Sequence, residues 1–260
     1  MFALGPLVLG AVIGLVLGLL GGGGAILAVP GLVYILGVDP HAAIAASLAI
    51  VAVGAATGLL SHARGGRVVW MMALQLGLTG VAGAWVGAFA GRLVPGERLL
   101  ALLGLFMLLA AFLMVRRPTS DVERPTSPRW LAPLLGLGLG VVTGFFGVGG
   151  GFLIVPALTL GLGLPIRLAI GTSLAVITAN SLGGVAGYLG SGTVDWPLTL
   201  LVSAGAVGGA LVGSRLASIA PERQLRRGFA GLVATIALFL IYRNAASWVV
   251  AIVLPLVVSV

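Results

Sequence analysis

The chain has 260 residues, of which 60% are hydrophobic and 8% charged, with a mean hydropathy of +1.22. A soluble domain carries about 25% charged residues, so a chain this poor in charge cannot cover itself in water and reads as a polytopic membrane protein. The net charge is +8 and every basic residue is arginine; set between apolar runs, these arginines read as orientation signals rather than a nucleic-acid surface, and the lack of cysteine excludes disulfides, thiolate metal sites and cysteine nucleophiles.

Residues 3–20 form a first apolar run with no basic n-region and no clear cleavage site, so it reads as a retained span rather than a signal peptide. A glycine cluster follows in Gly21–Pro30, GGGGAILAVP, and leads into a short run at 25–37. Thirteen helical residues cover about 20 Å, less than the hydrocarbon core of ~30 Å, which predicts a half-helix or a poor crossing. Asp39-Pro40-His41 makes a polar turn, and 42–62, 68–91 and 98–115 are full-length spans. The stretch 116–129, RRPTSDVERPTSPR, is a polar linker at the centre of the chain. The pattern then repeats: 130–146, a glycine cluster in Gly147–Pro156, GVGGGFLIVP, a short run at 151–163, then 167–189, 194–218 and 224–242. A last run, 246–260, has no partner in the first half.

The repeat holds at a fixed offset of 126 residues without a gap. Gly18, Gly21, Gly23, Gly24, Leu27, Val29 and Pro30 match Gly144, Gly147, Gly149, Gly150, Leu153, Val155 and Pro156; Ser47-Leu48-Ala49 matches Ser173-Leu174-Ala175, Trp70 matches Trp196 and Pro95 matches Pro221. This predicts an all-α polytopic membrane protein of two repeats, 1–116 and 130–243, joined by a cytoplasmic linker at 117–129 and followed by an apolar segment at 244–260, all one membrane domain. If each half crosses five times, the halves face opposite ways and the arginines split eleven to three in favour of the linker side, with only Arg92, Arg98 and Arg243 opposite. If the short runs dip in and return, the halves are parallel and the split is seven to seven. The positive-inside rule prefers the inverted arrangement, which is that of many secondary transporters. Glycines at four-residue spacing (Gly10, Gly14, Gly18 with Gly136, Gly140, Gly144; Gly83, Gly87 with Gly209, Gly213) read as close helix packing. Trp70 and Trp196 read as interfacial anchors.

The paired glycine stretches, the segments Ala46-Ser47-Leu48 and Thr172-Ser173-Leu174, and the two-half layout resemble the sulfite exporter TauE/SafE family of membrane permeases. The first copy departs from the second at Ala46 against Thr172 and at Gly24-Ala25 against Gly150-Gly151. The resemblance implies transport of a small sulfur-containing or organic anion, such as sulfite, a sulfonate, sulfoacetate or thiosulfate, without choosing among them.

The residues point toward an anion on their own terms. A helix that starts after a glycine cluster offers unpaired N–H groups and a positive dipole end. Gly21, Gly22, Gly23 and Gly24 with Ala25, and Gly147, Gly149, Gly150 and Gly151, are therefore candidate anion ligands, expected to approach the midplane from opposite sides. Ser47, Thr172, Ser173 and Asn180 are candidate neutral ligands for oxyanion oxygens, with Asn180 and Ser173 seven apart on one helix face. All six acids, Asp39, Glu97, Asp121, Glu123, Asp195 and Glu222, lie at loops or span ends, which argues against a carboxylate proton relay and a divalent-cation carrier. His62, beside Arg64 and Arg67, reads as interfacial. With no lysine, no HExxH, and Ser61 and His62 about 100° apart on a helix, the chain reads as a transporter rather than an enzyme, with no metal and no cofactor. Its partners are then a small anion and the lipid bilayer, without nucleic acid. A passive anion channel is the alternative, and the sequence leaves a homodimer open. The arginine-only, Ala/Gly/Leu-rich composition suggests a GC-rich bacterial genome, and the expected location is the bacterial cytoplasmic (inner) membrane.

Overall fold

A computed structural model describes residues 4–116, 131–147, 151–188 and 194–243. Its helices are α1 (Leu4–Leu20), α2 (Gly23–Tyr34), α3 (Pro40–Arg64), α4 (Trp70–Gly91), α5 (Gly96–Arg116), α6 (Leu131–Phe146), α7 (Gly151–Pro156), α8 (Ile166–Tyr188), α9 (Trp196–Ile219) and α10 (Glu222–Arg243), with a π-helical turn Ala157–Gly161 continuing α7. Among the described residues, α3, α4, α8 and α9 are long and apolar enough to cross a membrane unaided, and α1, α2 and parts of α5, α6 and α10 form shorter apolar helices. The protein is an all-α, multi-pass membrane protein. The linker 117–129 and the segment 244–260 lie outside the described residues.

Local chemistry sets the helix ends. Asp39 caps α3 by accepting from the N–H groups of His41 (2.9 Å) and Ala42 (3.3 Å), and Asp195 caps α9 by accepting from Leu198 N–H (3.1 Å). The two short segments close alike: Val38 N–H donates to Leu32 O (3.0 Å) and Leu164 N–H to Leu158 O (2.9 Å), over left-handed glycines at 37 and 163. They differ in the middle. Pro30 is absorbed within α2, whereas after Pro156 the chain loosens into the π turn. Proline gives no N–H to the ladder, and Thr159 Oγ1 donates to the Val155 and Pro156 carbonyls (2.9 and 3.2 Å).

Packing exchanges elements between the two copies. The most extensive contacts are α1 on α9 and its counterpart, α6 on α4. Glycines line both sides of each pair. Those at 10, 14 and 18 lie on the α9 backbone at Val202, Ala206 and Ala210, and those at 83, 87 and 91 lie on α6 at Leu137, Val141 and Phe145. Both series ascend together, so each pair is parallel, and a methyl at any of these positions would overlap a neighbouring carbonyl. The ladders are packing devices, as their spacing predicts. α8 runs parallel to α4, with Ala179 against Gly77 and Ala88 against Gly187. It runs antiparallel to α3, with Leu174 against Gly58 and Leu48 against Gly184. The middle of that crossing falls at Val53 and Ala179, which are themselves mates in the repeat.

Candidate functional site

The glycine turns end α1 and α6. Gly21 and Gly147 take φ of +76° and +65°, and their N–H groups donate to Leu17 O (2.8 Å) and Thr143 O (3.0 Å). A side chain at Gly21 would meet Ser173 Oγ (2.8 Å) and Ile170 Cα (2.9 Å); one at Gly147 would meet the Ile44 carbonyl (2.7 Å) and Cα (2.9 Å). Each turn therefore rests on the start of the other half's long helix. Because α3 and α8 are antiparallel, the turns do not converge. They are separated by roughly twelve to eighteen residues of α3, counted from Ser47 and Ile44 to the levels of Ser173 and Ile170, about 18–27 Å at 1.5 Å per residue. The expectation that both helix starts meet at one mid-depth point is corrected here, since sequence fixes where a turn occurs but not its level against a neighbour.

The start of α2 is buried through Gly22, Gly23, Gly24 and Ala25, and no side chain caps it at Gly22. Its first-turn N–H groups have no acceptor within the helix, so it retains the character of an anion site. Gly151 begins α7, a helix of six residues, while Gly149 and Gly150 lie outside the described residues.

The side-chain candidates also separate into places. Ser47 is buried; its hydroxyl donates to Ile44 O (2.7 Å) and to the carbonyl of Gly147, which ties it to the second glycine turn. Ser173 is buried and donates to Ile170 O (2.8 Å) beside the first turn. Thr172 Oγ1 accepts from Val69 N–H (3.0 Å) ahead of α4. Asn180 stands apart at mid-depth, fully buried, against Gly80 of α4; a methyl at Gly80 would sit 2.8 Å from the Asn180 Cγ and Nδ2. Among the described residues neither amide atom has a hydrogen-bond partner, and the same holds for Ser181 Oγ and His62 Nδ1.

His62, in the last turn of α3, is closed inside the bundle. It is 1% exposed, with Nε2 3.2 Å from Gly18 O, because Gly18 and Gly171 let the surrounding backbones close over it. Beyond it, Arg67 follows α3 and lies near Arg167 at the start of α8. Burial, then the charge of Arg167, lowers the Arg67 pKa from its ordinary value. Arg167 donates to Ser218 O (3.0 Å) and Ala220 O (3.1 Å), capping the end of α9. At the opposite end Arg92 donates to Gly187 O (3.4 Å). Among the described residues no three His, Asp or Glu side chains gather as a metal site would require.

The sulfite exporter TauE/SafE family matches residues 7–240. The chain belongs to this family. It is 38% identical over 254 residues to a probable membrane transporter protein of Xylella fastidiosa (strain Temecula1), covering 92% of this chain and 95% of the relative. It is 31% identical over 220 residues to the probable membrane transporter protein YdhB of Bacillus subtilis, covering 82% and 90%. No solved structure matches. As a TauE/SafE protein the chain is a membrane transporter, which gives the buried polar groups a context: in a transporter, polar side chains within spans mark substrate paths. The importance of Gly80 was not legible in the linear sequence. Its only trace there is that Asn180 and Gly80 align in the repeat with Gly54 and Ala206, so polarity appears in one copy only.

Proposed function

We propose that the protein is a secondary transporter of a small sulfur-containing or organic anion, of the sulfite, sulfonate, sulfoacetate or thiosulfate type, working by alternating access between two inverted halves in a bacterial cytoplasmic membrane. The observation that carries the reading is the antiparallel crossing of α3 and α8 about their middles. Equivalent helices that cross this way are expected when two homologous halves face opposite leaflets, and unexpected when the halves are parallel. The ends agree: Arg67 and Arg167 are neighbours, as five crossings per half require and four do not. With the linker cytoplasmic, these arginines lie on the positive-inside face.

Attraction for the anion comes from backbone and neutral groups. The buried, uncapped start of α2 supplies N–H dipoles, with Gly21–Gly24 and Ser173 at that end and Thr172, next along α8, bonded toward α4. The second turn, at Gly147 and Gly151 with Ser47, is its counterpart toward the other leaflet, and Asn180 lies between the two levels. An anion would pass from one turn to the other rather than rest between two facing helix tips.

The test is flux in proteoliposomes holding the full chain. Labelled sulfite, thiosulfate and an alkylsulfonate are offered against matched empty liposomes, and trans unlabelled substrate is then added. Saturable flux accelerated by trans substrate supports a carrier. Saturable flux without that acceleration indicates a channel, and absence of flux for every anion refutes the reading.

A further inference from the structure

At the middle of α8 two adjacent residues carry polar atoms that no group among the described residues satisfies: Asn180 Oδ1 and Nδ2, and Ser181 Oγ, on side chains that are fully buried. Buried polar groups almost always have partners, and the hydroxyls nearby follow the rule. Thr143 donates to Leu139 O, Ser173 to Ile170 O and Thr178 to Leu174 O, each within its own helix. Ser181 makes no such bond. The repeat supplies a control. The mates of Asn180, Ser181 and Gly80 are Gly54, Ala55 and Ala206, and Gly54 there faces only the side chains of Leu17 and Ala206. A polar group needed merely to build this crossing would be expected in both copies; it is present in one.

No formal charge shares that depth. α3 carries His41, His62 and Arg64 near its ends, and α8 carries Arg167 and Tyr188 at its own. α4, α6 and α7 with its π turn have no titratable side chain, and α10 has its charged groups in its first two turns and at Arg243. An anion here is held by neutral groups alone, and the cost of burying it rises with the square of its charge. A carboxamide offers two donors and an acceptor, and a hydroxyl offers one donor. A dianion has only acceptors, so its charge would face Asn180 Oδ1. A monoanion that keeps an acidic O–H donates it to Oδ1 while its other oxygens accept from Nδ2 and Ser181.

We propose that Asn180 and Ser181 are the mid-membrane contacts for the transported anion, and that they select a singly charged oxyanion still carrying an acidic O–H over the fully deprotonated dianion. This rests on the reading of the chain as an oxyanion transporter. The amide now lies against the backbone of Gly80, so the anion enters as α4 and α8 part there, and Gly80 is the residue that keeps the amide in place when they close.

The experiment measures sulfite flux in proteoliposomes across the pH range in which hydrogensulfite loses its proton, with sulfate as an obligate dianion and empty liposomes subtracted. The expected rate follows the monoanion, falling about tenfold per pH unit once the dianion dominates, with sulfate excluded. Asn180→Asp, which places an acceptor-only and charged group there, lowers flux at least about tenfold, and Ser181→Ala lowers it several-fold, both with an unchanged unfolding midpoint in detergent. Flux that follows the dianion overturns the selectivity. Wild-type rates in both variants overturn the site while leaving the transporter reading intact. If Asn180→Asp fails to fold, Ser181→Ala decides alone, and wild-type rate and pH profile there overturn the site. If the wild type moves neither sulfite nor sulfate but does carry an alkylsulfonate, the selectivity falls while the transporter reading stands; if it carries none of these anions, both fall.

Discussion

Gly140 and Gly138 sit two residues apart on α6 and ask whether close approach of α4 and α6 holds the bundle together. A methyl at Gly140 would lie 2.7 Å from both the carbonyl carbon and the Cα of Gly80, atoms that belong to backbone and cannot rotate away. A methyl at Gly138 has nothing within 4 Å. Carbon atoms rest at about 3.5–4.0 Å, so Gly140→Ala forces the helices apart by roughly 1 Å, and the neighbouring ladder glycines lose contact with them. Overpacking of this kind costs about 1–3 kcal/mol. Gly138→Ala gains up to about 1 kcal/mol of helix propensity without a clash. The two variants should therefore differ by about 2 kcal/mol or more in stability, read as the midpoint of thermal unfolding in detergent, with Gly140→Ala the lower. Because Gly80 also backs Asn180, anion flux should fall in Gly140→Ala and stay at the wild-type rate in Gly138→Ala. Equal midpoints would refute the packing argument.

The serine mates should separate as well. Ser47→Ala loses its bond to Gly147 across the two halves and should destabilise by about 1 kcal/mol, whereas Ser173→Ala loses only a bond within its own turn and should cost less; denaturation midpoints compare them. Arg167→Ala removes the donors that reach Ser218 and Ala220, and should lower the midpoint by the equivalent of about 1 kcal/mol, with Arg167→Lys recovering only part of it because lysine lacks the planar fork. With no native cysteine, topology can be read by single substitutions: Gly37→Cys should label from the outside and its repeat mate, Gly163→Cys, from the cytoplasmic side, and labelling of both from one side would sink the inverted arrangement.

Much of the fold was legible because the turns are written in residue types. Trp70, Pro95 and the glycine clusters recur at one offset, and the helices of the second half begin and end close to where that offset puts them: α3 at Pro40 and α8 at Ile166, α4 at Trp70 and α9 at Trp196. The glycine ladders were legible for the same reason, since a four-residue spacing means one face. Lateral register was not. Nothing in the linear sequence places Gly21 against Ile170 or Gly147 against Ile44, and the level of those contacts keeps the two turns apart. The burial of His62 was not legible, because the small residues that close over it, Gly18 and Gly171, are distant in sequence. Asn180 was legible as an amide within a span, but its lack of partners depends on Gly80, which is visible only in three dimensions.

The exchange of helices between copies has a consequence for biogenesis. The glycine face of α1 fits α9, and those helices are separated by about 180 residues of chain, or roughly 10–40 s of synthesis at 5–20 residues per second. For that interval the first helix waits in the lipid beside whatever else is there. A half expressed by itself leaves both α1 and α4 without their closest partners, so two separately encoded halves would have to find each other in the bilayer before either could settle.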